Sequence, residues 1–244
     1  EKYDTVINLI LIFSSGLSTA MSGAKHKIGF DKNPLSRFYT KKVSHKIEPG
    51  VHEVDRNQKL IEELTDAIAA KPKLYPSLED IEKVNKLKKD DYYCIAPSSV
   101  WFTKQLPIEK WNELIQTLEA DKIIYLLGGI DDNIVATQIV NTNLDRKIVN
   151  LCGTLSFLES AALMKDAKMN YVNDSAPLHF ASAVNANVSA VYCSTLPEFG
   201  FGPLSDNSTI IQINKPLYCR PCGLHGKKEC PEGHFKCALD IVFS

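Results

Sequence analysis

The stretch Val172-Asn173-Asp174-Ser175-Ala176-Pro177-Leu178-His179 gathers an acid, a hydroxyl and an imidazole around a proline. It reads as the end of an apolar strand, a polar turn and a helix opened by Pro177, since proline in a first helical turn gives up no backbone hydrogen bond. Asp174 and Ser175 stand where helix caps belong. The free N–H groups of such a turn face outward at the carboxyl end of a strand, where open α/β sheets bind anionic ligands. The segment therefore points to a phosphate-bearing ligand. Ser175 and His179 are four apart and share a helix face. A hydrolase triad of Asp174, Ser175 and His179 is disfavoured, because the Gly-x-Ser-x-Gly elbow is missing and triad partners come from separate segments. Taken in isolation, His179 reads as a satisfied core histidine.

A second loop with suitable chemistry is Pro97-Ser98-Ser99-Val100-Trp101-Phe102-Thr103-Lys104, between a strand at Tyr92–Ala96 and a helix starting near Ile108. Ser98, Ser99 and Thr103 offer hydroxyls and Lys104 a mobile positive charge, a set suited to a diphosphate. It is not a Walker loop, for the glycines and the Gly-Lys-Ser/Thr ending are absent. By itself it is also what an ordinary βα loop with an exposed lysine looks like. In a third loop, Leu127-Gly128-Gly129-Ile130-Asp131-Asp132, the glycines let the backbone turn tightly or approach a ligand. Asp131 and Asp132 read first as caps of the following helix, and one of them alternatively as an acceptor from a ribose or base.

Cys94, Cys152 and Cys193 sit in or beside apolar strands and read as small core residues. Cys219, Cys222, Cys230 and Cys237, with His225 and His234 nearby, supply enough thiols in a short span for zinc. The spacing lacks a second Cys-x-x-Cys, so no metal is assigned. The alternatives are free thiols or a disulfide, the latter disfavoured in a cytoplasmic protein.

Alternating elements position these loops. Strands are expected at Thr5–Leu9, Lys27–Phe30, Tyr92–Ala96, Ile123–Leu127, Ile148–Leu151, Met169–Val172, Val188–Cys193 and Thr209–Ile213. Several are continuous and β-branched, as in a parallel sheet covered on both faces. Leu60, Ile61, Leu64, Ala67 and Ile68 form one helical stripe, and Ile108, Trp111, Leu114, Ile115 and Leu118 another. Such alternation implies a doubly wound α/β fold. Pro72 and Pro76, followed by a lysine-rich helical stretch to Lys89, read as a domain connection, and the boundary is expected near residue 88.

With 244 residues and a net charge of −1, the chain has ample core and no global field to recruit nucleic acid. The charge is uneven, however. Lys25, Lys27, Lys32, Arg37, Lys41, Lys42 and Lys46 face a single acid, Asp31, within one stretch. A solvated face is the ordinary reading of such a run, and a docking surface for an anionic substrate the sharper one. No apolar run reaches the roughly 18–20 residues that span a bilayer. Val6 to Phe13 reads as a buried strand and loop rather than a signal peptide, and a cytoplasmic location is the default. The chain opens at Glu1 without an initiator methionine, and its first part holds few strands; an amino-terminal segment is expected to be absent.

Taken in order, these segments resemble glycosyltransferase family 9, the ADP-heptose:lipopolysaccharide heptosyltransferases, from about Tyr3 to Ile241. Asn173-Asp174-Ser175-Ala176-Pro177-Leu178-His179 is similar to the family's Asn-Asp-Ser-Gly-Pro-x-His block. Pro97-Ser98-Ser99 through Lys104 to Pro107-x-x-x-Trp111 matches as well. So do Leu127-Gly128-Gly129, Tyr218-Cys219-Arg220-Pro221-Cys222 and the amino-domain segment Ser22-Gly23-Ala24-Lys25-His26-Lys27-Ile28-Gly29-Phe30. The resemblance implies a GT-B fold of two Rossmann-like domains: residues 1–88 as a partial, acceptor-side domain with linker, and residues 89–244 as the nucleotide-sugar domain with a Cys-rich tail. It implies inverting, metal-independent transfer from a nucleotide sugar, with no cofactor, to an anionic lipid-linked oligosaccharide at a peripheral membrane surface. By that resemblance Ser98, Ser99 and Lys104 hold the diphosphate, and the N–H groups of Ser175 and Ala176 assist. Gly128, Gly129 and Asp131 complete the donor site, Asp174 takes a sugar hydroxyl or the helix cap, and His179 neighbours the diphosphate or orients Asp174. The basic run then becomes the acceptor side.

Two departures stand out. Ala176 replaces the family's glycine, which matters if that position is left-handed. The family's catalytic aspartate, in a glycine-containing loop after the first strand, has no match in this sequence, and for a full Rossmann first domain about 60–80 further residues are expected. Weak donor binding without turnover is therefore expected of residues 1–244. The alternatives are a GT-B enzyme using another nucleotide sugar, and a non-catalytic donor-binding member lacking its base.

Overall fold

The computed structural model describes residues 3–243. The chain divides into two compact units, one running to Lys71 and including Glu198–Phe201, the other made of Pro72–Pro197 and the chain from Gly202 onward. The first unit holds strands β1 (Thr5–Asn8), β2 (His26–Phe30) and β3 (Lys41–Val43), parallel and in that order, with helices α1 (Phe13–Met21) and α2 (Glu53–Gln58). Its core is small: Ile28, Phe30 and Leu60, with Ile7, Leu11, Val43 and Ile61 packed on them. The buried side chains Asn8 and Asn33 finish the backbone accounting. Asn33 Nδ2 donates to Ile10 O at 2.8 Å and Ile12 O at 3.0 Å, and Asn8 Nδ2 to the Tyr39 hydroxyl at 2.8 Å.

Two expectations fail in this unit. The stripe from Leu60 to Ile68 is not helical. The helix lies earlier, at α2, where His52 and Asp55 form a reciprocal capping box, and the chain after Lys59 runs as turns. Only Leu60 of that stripe is fully buried, while Leu64 and Ile68 are exposed, so no apolar face gives a helix there something to pack against. The apolar run from Val6 is likewise only half buried, with Ile10, Ile12 and Phe13 exposed.

The second unit is a six-stranded parallel sheet in the order β6-β5-β4-β7-β8-β9. Its strands are β4 (Tyr92–Ala96), β5 (Ile123–Leu126), β6 (Ile148–Asn150), β7 (Met169–Asn173), β8 (Val188–Tyr192) and β9 (Ser208–Gln212). Its helices are α3 (Leu78–Asn85), α4 (Ile108–Thr117), α5 (Asn133–Thr142), α6 (Phe157–Lys165), α7 (Ala176–Ala183) and α8 (Lys236–Leu239). Period-two alternation along β4 sends Tyr93 and Ile95 into one apolar layer and Tyr92, Cys94 and Ala96 into the other. The first layer takes Trp111, Leu114 and Ile115 of α4, Ile139 of α5 and the tail residues Phe235 and Ile241. The second takes Val84 of α3, Leu163 and Met164 of α6, and Leu178 and Ala181 of α7. The units change at Lys71–Pro72, ahead of the boundary expected near residue 88, because α3 packs into the second unit. Val84 is fully buried there, and Lys83 Nζ reaches Glu159 Oε1 of α6 at 2.8 Å.

Strand order decides where a ligand goes. From β4 the chain steps outward through β5 and β6, then returns to lay β7, β8 and β9 on the opposite side of β4. The loops after β4 and β7 therefore part company at the carboxyl edge and leave a crevice, the usual ligand position in such sheets.

Candidate functional site

A cavity of about 470 Å3 opens at that edge. Its walls come from all three loops singled out by chemistry: Ser98 and Ser99 after β4, Gly128, Gly129 and Asp131 after β5, and Ser175 and Ala176 at the start of α7. Apolar surface from Phe157, Met164 and Phe180 lines the same space. Ser98 Oγ is buried and has no hydrogen-bond partner, a donor and acceptor facing a site that could satisfy it.

Asn173 at the end of β7 fixes the two sides of the crevice to each other. It is wholly buried; its Oδ1 accepts from Leu106 N at 3.0 Å and its Nδ2 donates to Pro97 O at 2.7 Å. Trp111 Nε1 adds a second bond to Pro97 O at 3.2 Å. The loops bearing Lys104 and Ser175 thus converge, as a shared grip on one ligand requires.

Lys104 and Asp174 meet directly. Lys104 Nζ lies 2.7 Å from Asp174 Oδ2, and the Thr195 hydroxyl donates to the same oxygen at 2.7 Å. Both side chains are largely shielded from water, which strengthens the pair relative to a surface one. Neither lines the cavity itself. Asp174 is therefore not a helix cap: its carboxylate is committed to Lys104 and Thr195. Nor does Ser175 cap α7. It is the N-cap residue, but its Oγ donates to Asn173 O at 3.3 Å, and no side chain caps the helix. Ala176 is the first helical residue and is not among the residues with positive φ, so the missing glycine costs nothing here.

The β5 loop divides its two acids. Asp132 Oδ2 accepts from Gly129 N at 2.7 Å, which is the capping role expected of one of them, and Asp131 remains on the cavity wall. His179 is exposed on α7, not a core histidine, and does not line the cavity. In the basic run, Lys41 Nζ pairs with Glu63 at 3.0 Å and Lys27 Nζ donates to Ala20 O at 3.1 Å, while Arg37 lies over the Phe38 ring.

All seven cysteines are free. Burial pushes the thiols of Cys94 and Cys193 up, and that of Cys152 up to about 12. Among the described residues no group of three or more His, Cys, Asp or Glu is arranged to hold a metal ion. Cys219 Sγ stands 3.9 Å from His234 Nε2, and Cys237 belongs to the apolar core. Among the described residues no helix is long and apolar enough to cross a membrane.

Thr103, expected to offer a hydroxyl to the ligand, is instead buried away from the cavity wall, its Oγ1 accepting from Lys227 N and from the Ser194 hydroxyl. Reading along the sequence missed Asn173 and Thr195 as site-builders, because their partners lie far away in the chain. It also missed the cavity lining of Phe157, Met164 and Phe180, which belong to two different helices and read as ordinary helical apolar residues.

Comparison with known proteins supplies the family. The chain is 33% identical over 116 residues to lipooligosaccharide heptosyltransferase 2 of Haemophilus influenzae, covering 44% of this chain and 33% of that protein. It is 27% identical over 208 residues to lipopolysaccharide heptosyltransferase 3 of Escherichia coli, covering 80% of this chain and 60% of that one. It thus spans a third to three-fifths of the length of these curated relatives. The solved structure of the E. coli ADP-heptose LPS heptosyltransferase II superposes with a TM-score of 0.73 at 20% identity, over 90% of this chain and 73% of that one, which shows a shared GT-B fold. The family model described as glycosyltransferase family 9 (heptosyltransferase) matches residues 1–235, nearly the whole sequence, and the chain belongs to that family.

Proposed function

We propose that the second unit is the donor-binding part of an inverting glycosyltransferase that moves a heptose or similar sugar from an ADP-linked donor to a lipopolysaccharide core acceptor in the cytoplasm. One observation carries the reading: the cavity at the strand-order reversal joins two serine hydroxyls, a Gly-Gly loop and the uncapped start of α7 around a volume suited to a nucleotide. The structurally similar E. coli protein is named for ADP-heptose, which supports the choice of donor.

The chemistry follows from charge. An acceptor hydroxyl, deprotonated by a base, attacks the anomeric carbon as the bond from that carbon to the diphosphate breaks, and negative charge builds on the departing ADP. Ser98, Ser99 and the N–H groups of Ser175 and Ala176 receive the diphosphate, and Lys104 supplies the compensating cation. A diphosphate carries more charge than one carboxylate, so it competes with Asp174 for Lys104 and frees Asp174 for a sugar hydroxyl. Asp131 accepts from the ribose. The base is assigned to none of these residues, so donor binding is the activity to measure on residues 1–244. The anionic acceptor is drawn by Lys25, Lys32, Arg37, Lys42 and Lys46, the members of the basic run other than Lys27 and Lys41.

Thermal unfolding in the presence of ADP, GDP or UDP tests the donor reading, because a ligand bound only to the folded state raises the transition temperature. ADP is expected to give the largest rise, and Lys104→Ala to remove it. No rise with any of the three overturns the site, and a larger rise with GDP or UDP overturns the choice of ADP. In a binding assay with the anionic acceptor, reversing Lys25, Lys32, Arg37 and Lys42 to Glu raises the acceptor Kd and spares donor affinity; an unchanged acceptor Kd refutes the docking role.

A further inference from the structure

The Cys-rich segment after β9 is not used by the mechanism above, yet it returns to the donor loop. Thr103, the residue before Lys104, is 1% exposed and is held by it on both sides. Thr103 N donates to Lys227 O at 3.1 Å, and Lys227 N donates to Thr103 Oγ1 at 2.7 Å. The buried Ser194 hydroxyl donates to the same oxygen at 2.9 Å, and Ser194 O accepts from Cys222 N at 2.9 Å. Phe102 and Phe235 stack with ring centroids 5.1 Å apart. Gly226 passes so close that a Cβ on it would stand 2.9 Å from Lys104 Cγ and 3.1 Å from Thr103 Oγ1, at a φ of +79° that already favours glycine.

The same segment also reaches the acid that Lys104 pairs with. The Arg220 guanidinium donates to Thr195 O at 2.8 Å and to Gln212 Oε1 at 2.8 Å, and it is the Thr195 hydroxyl that holds Asp174. One stretch of chain, residues 220–235, therefore contacts both ends of the Lys104–Asp174 pair through their immediate neighbours.

We infer that this stretch is a strap that sets the position of Lys104 toward the diphosphate, with Thr103 as the positioning residue through which it acts. The inference rests on the donor reading of the site. Its physical basis is that a lysine on a flexible four-carbon stem contributes little to phosphate recognition unless its backbone is fixed and its stem confined. Thr103 fixes the backbone, and Gly226, lying against Lys104 Cγ, confines the stem, leaving the ammonium to exchange Asp174 for the diphosphate. Ordinary packing would make the strap matter equally for every ligand of the cavity. A positioning role makes it matter only where a diphosphate is present.

The experiment measures ADP and adenosine binding by calorimetry on the full chain and its Lys104→Ala, Thr103→Val, Thr103→Ser and Gly226→Ala variants. Thr103→Val keeps the shape but loses the acceptor for Lys227 N and Ser194. It is expected to weaken ADP by about tenfold, the factor that one misplaced charged hydrogen bond amounts to, and to leave adenosine within about twofold. Thr103→Ser restores the acceptor and recovers ADP affinity. Gly226→Ala removes no hydrogen-bonding group but crowds Lys104 and the Thr103 hydroxyl, and gives the same ADP-only loss; it decides the matter if Thr103→Val does not fold. Equal losses for ADP and adenosine, or unchanged ADP affinity in both strap variants while Lys104→Ala weakens it, overturn the strap. If Lys104→Ala itself leaves ADP binding intact, the donor reading fails instead.

Discussion

Asn173 offers the sharpest test of how the crevice is built. Replacing it with Leu keeps the volume and removes both bonds, to Leu106 N and to Pro97 O. Pro97 O keeps Trp111 Nε1, but the Leu106 N–H, on a residue 3% exposed, loses its acceptor. Two net hydrogen bonds at about 1 kcal/mol each, plus about 1–3 kcal/mol for the stranded N–H, give a loss of about 3–5 kcal/mol. That is a large share of the ~5–15 kcal/mol that holds a domain folded. Asn173→Asp separates the two bonds by pH. When neutral, the carboxyl donates to Pro97 O and accepts from Leu106 N, as the amide does. When ionised, it turns a lone pair on a carbonyl in a buried place. Burial raises the folded-state pKa of this Asp above its unfolded value, so its stability is present at acid pH and lost as pH rises. Urea unfolding followed by tryptophan fluorescence, with Trp111 bonded beside the substituted residue, should show Asn173→Asp near the parent protein at about pH 4 and several kcal/mol below it at about pH 8. A loss under about 0.5 kcal/mol in Asn173→Leu, or a flat difference between those pH values in Asn173→Asp, refutes the staple.

Three further outcomes follow from the same structure. The Lys83 ammonium, and next the Ser156 N–H, hold the Glu159 carboxyl below the usual carboxylate range, so Glu159 stabilises the fold above about pH 4.3 and loses that contribution as pH falls through its lower folded value. Glu159→Gln should therefore cost about 0.5–1 kcal/mol near neutrality and progressively less as pH falls below the carboxylate range, read from denaturant midpoints. Gly128→Ala would set a Cβ 2.6 Å from Asp132 Oδ2, displacing the cap on Gly129 N and narrowing the cavity; a loss of about 1–2 kcal/mol with weaker ADP binding is expected, and retention of both properties contradicts it. With Ellman's reagent, Cys219, Cys222 and Cys230 should react in the native protein, whereas Cys94, Cys152, Cys193 and Cys237 should react only after denaturation, since burial excludes the reagent and pushes the Cys152 and Cys237 thiols up to about 12.

What could be read in advance was whatever depends on neighbours in sequence. Tyr92–Ala96 is a strand with the bounds its apolar run implies, and α4 buries the expected Trp111, Leu114 and Ile115. The β3 strand escaped notice because Lys41-Lys42-Val43 reads as charge, and a three-residue strand has no room to show alternation. The stripe at Leu60–Ile68 had helical spacing but no cap at its start, whereas His52 and Asp55, an unusual capping pair, start the true helix. At the site, the residue types and the loops bearing them were legible; their pairings were not. Nothing local in Lys104 announces Asp174 as its partner, and nothing in Asn173 announces Leu106 and Pro97. Those pairings exist only once strand order has brought β7 against β4.

Arg56 has a consequence for anyone who cuts this protein. It is 2% exposed, and its guanidinium donates to Glu53 Oε2, to Val51 O and, at 2.7 Å, to Phe199 O, while Gly200 O receives Glu53 N at 2.8 Å. Two of those acceptors lie far downstream of the rest of the small unit, which is therefore assembled from two segments of the chain rather than one. Expressing residues 1–71 alone takes one of three acceptors from the interior Arg56 guanidinium and leaves the Glu53 amide without its acceptor, in a piece whose three-stranded sheet has little apolar mass to absorb the loss. A fragment that carries a covalently joined copy of Glu198–Phe201 should be the shortest form of that unit that folds.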